Sequence, residues 1–241
     1  MRRLWLSVLM FPLAAQAADI SAFTATYEFN LDNKLSGKAT RELTRNGDRY
    51  HYEFRANAAF ASAVETSDFG YDGAQVKSLV YRNHRQLFFR SRDAGVNFDW
   101  TRRMGHAFRY QDSLDFPLQD GVLDPLNLEM QLRHDLLSGG KFKGEFMLAD
   151  PKGMHPVRFE INGTERIRTP YGTLDTVKVR RIHEDPERDT QFWLAPSLDY
   201  LPVRFVQKDD GAVSTLTLST YRVTAPPVPA AAVSPPATPA R

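Results

Sequence analysis

Residues Phe23–Leu31 have the sequence Phe-Thr-Ala-Thr-Tyr-Glu-Phe-Asn-Leu, in which apolar and polar side chains alternate. Successive side chains of a β-strand point to opposite faces, so this pattern predicts a strand with one face in the core and one in water. The same period of two recurs in residues 50–58 and 157–162. Because parallel strands are usually apolar on both faces, the alternation indicates an antiparallel sheet.

Turn signals separate these alternating stretches. The pair Asn46-Gly47 accepts the positive φ angles of a tight hairpin, and Asp-, Pro- and Gly-containing segments recur along the rest of the chain. Their spacing predicts about a dozen short strands joined as a meander. The fold class is therefore mainly β, a curved antiparallel sheet in the form of a barrel or sandwich.

One segment has helical rather than strand periodicity. Asp124 can cap a helix, Pro125 suits its first turn, and Gly139-Gly140 can end it. The leucines and Met130 between them cover a wide apolar arc, whereas Asn127, Gln131, His134 and Asp135 share the opposite, polar arc. This predicts one amphipathic helix lying across the sheet, with His134 at the surface. Residues 58–66 are a second, shorter helical candidate.

The two ends of the chain differ in composition from its middle. Residues 1–17 combine a basic start, a short apolar run and Ala15-Gln16-Ala17, which is the pattern of a secretory signal peptide. Residues 224–241 are rich in Pro and Ala and predict a disordered tail. The folded domain is then residues 18–223. We expect export to the periplasm, without a transmembrane helix and, in the absence of cysteine, without a lipid anchor.

Composition and motifs exclude several functional classes. Without Arg2 and Arg3, the chain has as many basic as acidic residues, which argues against a nucleic-acid partner. The absence of cysteine excludes disulfides, thiolate metal sites and a cysteine nucleophile. No phosphate-binding loop, nucleophile elbow or short-spaced histidine pair occurs, so no catalytic residue, metal site or cofactor is predicted.

Basic and aromatic residues alternate in one part of the chain, which makes it the candidate binding site. Between residues 77 and 109, arginines far outnumber carboxylates, and aromatic side chains lie among them. Arginine suits bidentate recognition of phosphate or carboxylate, so the pattern favours a ligand with an anionic head and an apolar body. The alternatives are that these arginines pair with the acidic residues at 112–135 and that the aromatics are core. The candidate ligand-binding residues are Arg85, Arg90, Arg92, Phe98, Trp100, Arg102, Arg109 and Trp193.

Three stretches together resemble a known family. They are the Asp124-Pro125-Leu126 helix start, Thr169–Val177, and Phe192–Ala195 followed by Tyr200–Arg204. In this order and spacing they resemble the DUF3108 family, exported proteins of Gram-negative bacteria without an assigned activity. The arrangement is also similar to the LolA- and LolB-like carriers. That similarity implies an open half-barrel around a helix with a hydrophobic cavity, and it does not imply lipoprotein carriage.

These observations favour a non-enzymatic periplasmic protein that binds a lipid or a cell-wall-derived amphiphile on the concave face of its sheet. Two alternatives remain open at this level. One is a structural or assembly factor of the cell envelope that acts through protein contacts. The other is a glycan hydrolase, which would need two carboxyl groups roughly 5–10 Å apart in a cleft.

Overall fold

The computed structural model describes residues 20–139 and 142–224, which contain one antiparallel sheet and one α-helix. The predicted signal peptide and all but the first residue of the predicted tail lie outside the described residues. The strands are β1 Phe23–Leu31, β2 Leu35–Asn46, β3 Arg49–Ala58, β4 Ala61–Asp72, β5 Gln75–Leu87, β6 Arg90–Asp99, β7 Met104–Arg109, β8 Asp112–Pro117, β9 Glu145–Asp150, β10 Gly153–Thr169, β11 Gly172–Ile182, β12 Asp189–Ala195, β13 Leu201–Asp209 and β14 Ala212–Val223; the helix, α1, is Pro125–Leu137, and a short 3-10 helix spans Pro196–Leu198.

The sheet has 14 strands, and each described strand pairs with its neighbour in the chain except where α1 separates β8 from β9. The first and last strands, β1 and β14, pair with each other, so β8 and β9 are the two edges. The sheet does not close by pairing these edges. Instead, Leu123 of the connection before α1 bonds to β9, where its amide donates to Met147 O at 2.9 Å and its carbonyl accepts from Ala149 N at 2.8 Å.

Over the residues that the structure describes, the mainly β prediction, the antiparallel sheet and the single α-helix are therefore confirmed, with fourteen strands where about a dozen were expected. Alternation along β1 is as predicted, because Phe23, Ala25 and Tyr27 are all buried. The Asn46-Gly47 turn joins β2 and β3, and Gly47 has φ +63°. The second helical candidate, residues 58–66, is wrong: these residues are the end of β3, a turn and the start of β4.

The helix packs on the inner face of the sheet, the face that carries the buried side chains of β1. The prediction that its polar arc faces water is wrong, because Asn127, Gln131 and His134 are all buried. His134 is 2% exposed and its ring lies 5.6 Å from that of Tyr71. A helix inside a curved sheet meets protein on most sides. Asn127 and Gln131 form hydrogen bonds there, whereas neither ring nitrogen of His134 has a hydrogen-bond partner among the described residues.

The meander places the turns alternately at two ends of the sheet. We call the tip end the one that holds the turns β1–β2, β3–β4, β5–β6 and β7–β8, and the base end the opposite one. The turns β9–β10 and β13–β14 and the β11–β12 connection also lie at the tip end, by the antiparallel pairing of their strands. The helix C-terminus lies toward the base end, where Arg133 Nε donates to Asp199 O at 2.9 Å.

Candidate functional site

A buried polar cluster fixes the start of α1 to the sheet. Asp124 Oδ1 accepts the amides of Leu126 and Asn127, each at 2.9 Å, and so caps the helix. Its Oδ2 accepts the Ser67 hydroxyl at 2.7 Å, and Ser78 Oγ accepts the Asp124 amide at 3.0 Å. Burial raises the pKa of Asp124 to about 6, although these hydrogen bonds oppose the shift. The cap therefore holds the helix against β4 and β5.

An ion cluster lies beneath the middle of the helix. Glu129 forms an ion pair with Arg41 of β2, and Tyr52 Oη donates to Glu129 Oε1 at 2.8 Å. Arg133 is completely buried, with its guanidinium carbon 4.9 Å from the centre of the Phe23 ring and Nη1 4.0 Å from Glu129 Oε1. Burial lowers the pKa of Arg133. Glu129 thus lies between two buried arginines, and its single negative charge balances only one of them.

Between α1 and the inner face of the sheet lies a cavity of about 340 Å³, which we call the helix cavity. Its wall is mostly apolar and aromatic, and Glu65, Glu129 and Arg181 are among its charged residues. Burial lowers the pKa of the Arg181 guanidinium. Four aromatic rings of strands β9, β10, β12 and β13 form one row, and the last three of them line the cavity: Phe146, Phe159, Phe192 and Phe205.

The part of the inner face toward the tip end is not covered by the helix and holds a second cavity of about 460 Å³, the tip cavity. Its floor is made of small side chains, because β3 and β4 contribute only alanines, Asn57 and Ser62 to it. Phe29, Leu31, Leu35 and Leu87 add apolar surface. Three arginines stand at its rim: Arg85, Arg90 and Arg92.

The two cavities adjoin along the inner face. Phe54 lines the helix cavity and Ala56, two residues further along β3, lines the tip cavity. On β4, Glu65 lines the helix cavity, and Ala63, two residues before it, lines the tip cavity. Glu65 marks the boundary, where its Oε1 accepts from Asn83 at 2.9 Å and Arg85 at 3.4 Å and its Oε2 accepts from Tyr81 at 2.9 Å. Together the cavities form a trough whose walls are mostly apolar, with charged groups beside the helix and three arginines at the tip end.

The two carboxylates of the helix cavity are already engaged by protein donors. Tyr52 and Arg41 contact the two oxygens of Glu129, and Tyr81, Asn83 and Arg85 contact those of Glu65. A glycosidase needs one carboxyl group that can give its proton to the leaving oxygen and a second that meets the sugar ring or a water. This bonding suits an internal ion cluster better than an acid–base pair.

The structure brings together only part of the candidate binding residues. Arg85, Arg90 and Arg92 all line the tip cavity, which is consistent with the predicted anion site. Anion binding by these residues stays a prediction. Phe98 is 6% exposed and belongs to the core. Trp100 donates to Ser78 O at 2.7 Å, close to the helix cap.

The remaining three candidates lie apart from both cavities. Arg102 lies in the β6–β7 turn at the base end, 3.8 Å from Asp99. Arg109 ends β7 at the tip end, beside Ala94 of β6. Trp193 is buried on the face of β12 opposite Leu194, where Nε1 donates to Glu165 Oε2 at 2.8 Å. Ligand binding by these residues stays a prediction.

Sequence reasoning missed the alanines that make the tip cavity. Ala56 and Ala58 precede a two-residue turn, and Ala61 and Ala63 follow it, so all four fall on the same face of a hairpin. The signal was present as small residues at a spacing of two. The signal was obscured because alanine favours helices, and the second half of the hairpin, within residues 58–66, was predicted as helical.

Comparison with known proteins agrees with this architecture. The family model described as "Protein of unknown function (DUF3108)" matches residues 22–218. The chain belongs to the DUF3108 family. Its fold is similar to that of a β-barrel-like protein of the domain of unknown function DUF1849 from Brucella abortus, with a TM-score of 0.58, 11% identity, and coverage of 85% of this chain and 98% of that one. No curated protein matches the DUF3108 chain significantly.

Within residues 20–139 and 142–224, no helix is long and apolar enough to cross a membrane. Over the same ranges, no group of three or more His, Asp or Glu side chains is placed to hold a metal ion.

Proposed function

We propose that this DUF3108 protein is a periplasmic, non-enzymatic binding protein whose ligand is a small anionic amphiphile held in the trough of the inner face. The apolar part of the ligand lies over the alanine floor of the tip cavity. Its anionic head lies at the rim, beside Arg90 and Arg92. The observation that carries the proposal is the 460 Å³ cavity with apolar walls and three arginines at one edge.

Size and chemistry support this assignment. A volume of 460 Å³ lies within the range of about 300–1,000 Å³ that is usual for small-molecule sites. Such sites are mostly apolar, with a few polar groups that orient the ligand. Arg90 and Arg92 form no ion pair among the described residues, so their guanidinium groups are available to a carboxylate or phosphate.

The alanine floor also has a physical meaning. Small side chains on a concave sheet leave space that larger ones would fill, and a natural core is otherwise packed to the density of an organic crystal. Filling this space with leucine or phenylalanine would bury more apolar surface and add stability. The retained hollow is therefore better explained by an occupant than by the folding of the chain.

The proposal is tested with a fluorescent long-chain fatty acid titrated into the purified chain. We expect saturable binding that weakens about tenfold in the Arg90→Gln/Arg92→Gln double variant, since each lost charge-assisted contact is worth about 1.5–3 kcal/mol when buried and less at an exposed rim. Arg166→Gln, an exposed arginine on β10, is the matched control. Ala63→Trp should block binding by filling the cavity.

Mass spectrometry of an organic extract of the chain, purified from its own envelope fraction, identifies the natural ligand. Absence of saturable fatty-acid binding together with an extract free of any amphiphile would refute the proposal. Equal binding by Arg90→Gln/Arg92→Gln and the parent chain would refute the assignment of the anion site.

A further inference from the structure

The tip end carries an exposed aromatic cluster that the trough does not use. Phe60 of the β3–β4 turn is 47% exposed, and Phe88 and Phe89 of the β5–β6 turn are 59% and 102% exposed. The Phe60 and Phe88 rings stack with centres 4.8 Å apart and planes 1° apart, and the Phe88 amide donates to Phe60 O at 2.8 Å. Leu87, next to Phe88 in the chain, is 54% exposed, and Tyr110 of the β7–β8 turn at the same end is 72% exposed.

Two aromatic residues of tip-end turns, one in β5–β6 and one in β7–β8, have a left-handed backbone conformation. Phe88 has φ +52° and Tyr110 has φ +58°, values at which glycine or asparagine is normally favoured. A bulky residue in this region carries a conformational cost, and here its ring also faces solvent. Exposed apolar clusters of this kind usually mark interaction surfaces in soluble proteins.

Charge around the cluster indicates the kind of partner. Arg90 and Arg92 directly follow the aromatic turn, and Arg109 ends the neighbouring strand β7. Asp93, the nearest acid on β6, is bound to His84 at 2.6 Å. Aromatic side chains with adjacent arginines match the interface of a bilayer, where rings enter the headgroup region and guanidinium groups contact anionic lipids.

We propose that the β3–β4 and β5–β6 turns dock on the surface of a bilayer that contains anionic lipid. Ala58, Ala61, Leu87 and Arg90 belong both to the ends of these strands and to the wall of the tip cavity, so docking brings the mouth of that cavity to the bilayer. The docking proposal rests on the proposed function in one respect: the ligand of the tip cavity would be an amphiphile that comes from the membrane.

Acidic residues elsewhere at the tip end predict which side of that end faces the bilayer. The β13–β14 turn carries Asp209 and Asp210, and the β11–β12 connection carries Glu184, Asp185 and Glu187. Anionic lipids repel this acidic side, with Arg188 and Lys208 offsetting part of its charge through ion pairs. The contact is therefore confined to the half of the tip formed by β3–β8.

Flotation with lipid vesicles tests the docking. We expect the chain to float with vesicles of phosphatidylcholine mixed with phosphatidylglycerol in a three-to-one ratio, and much less with phosphatidylcholine alone. Phe89→Ser and Phe60→Ser should each reduce binding about tenfold, because each removes a ring that would leave water. Tyr171→Ser, an exposed aromatic of the base end at 40%, is the matched control. High salt should weaken binding of the parent chain.

The outcomes separate docking from ligand binding. Phe89 does not line the tip cavity, so Phe89→Ser should bind the fluorescent fatty acid as the parent chain does. Ala63→Trp should float with vesicles even where it no longer binds the probe. No flotation by the parent chain, or equal flotation by Phe89→Ser, would overturn the proposal. Sedimentation showing a dimer that Phe89→Ser dissociates would assign the cluster to a second copy instead.

Discussion

At the scale of single residues, polar side chains inside the barrel determine where the helix lies. Asp124 combines two roles, since it caps α1 and bonds to Ser67 of β4 across the core. The sequence indicated the first role, because an Asp before Pro125 is a usual helix start. Its contact with the sheet joins residues 57 apart and could not be predicted from local pattern.

Asp124 should make stability depend on pH in an unusual direction. Burial raises its pKa from the ordinary value of 3.8 to about 6, so the folded chain binds a proton more tightly than the unfolded chain does. The contribution of Asp124 to the free energy of unfolding is therefore largest below pH 3.8 and is lost as the pH rises to about 6 and above. Over this pH range, the parent chain should lose up to about 3 kcal/mol of unfolding free energy relative to Asp124→Asn.

The measurement is urea denaturation of both proteins in buffers that span this window. Asp112→Asn, which removes an exposed carboxylate from edge strand β8, is the control for a change of net charge. A difference between parent and Asp124→Asn that stays constant over the window, or grows in favour of the parent as pH rises, would contradict the prediction.

At the scale of elements, strand pairing leaves little room for change where backbones come close. A Cβ atom built on Gly37 of β2 would lie 2.0 Å from Asn57 O and 3.2 Å from Ala58 Cα of β3. Both are backbone atoms, which cannot move aside without disturbing the ladder. The close approach lies next to the alanines of the tip cavity, so the same segment sets both the pairing and the hollow.

Gly37→Ala should therefore destabilise the protein by about 1–3 kcal/mol, the usual cost of forcing atoms into a packed position. Gly70→Ala on β4 is the matched control, since its Cβ would meet only Asp48 O, at 3.4 Å. Thermal and urea unfolding of the two variants provide the comparison. Equal stability of the two variants would contradict the prediction, because it would show that β2 and β3 can move apart at Gly37 at little cost.

At the scale of the whole molecule, the two ends of the domain hold the sheet together. Strand β1 pairs with β14 from Phe23↔Val223 to Leu31↔Ser214, and the Thr224 amide donates to Ala22 O at 2.8 Å. These contacts join residues about 200 positions apart, so the sheet is complete only after the last strand is made. Folding that depends on such distant pairing is expected to be slow.

Truncation tests this dependence. A chain that ends at Gly211 lacks β14, exposes β1 and β13 as new edges and should not fold, because inner-face residues such as Leu216 and Leu218 leave the core. A chain that ends at Thr224 keeps all fourteen described strands and should melt at the same temperature as the full chain. Far-UV circular dichroism during heating measures both. A cooperative transition in the shorter chain would refute the prediction.

The sequence by itself determined the class of the fold, because alternation, turn residues and a capped helix are local signals that recur along most of the chain. It also indicated Arg85, Arg90 and Arg92 as a basic group, although not which of the eight candidates would meet. Only the tertiary structure decided that the helix is buried on its polar side, that four alanines form a cavity floor, and that Phe60 stacks on Phe88. Each of these depends on the curvature of the sheet, which brings together segments that are distant in the chain, and no periodicity within one segment records that curvature.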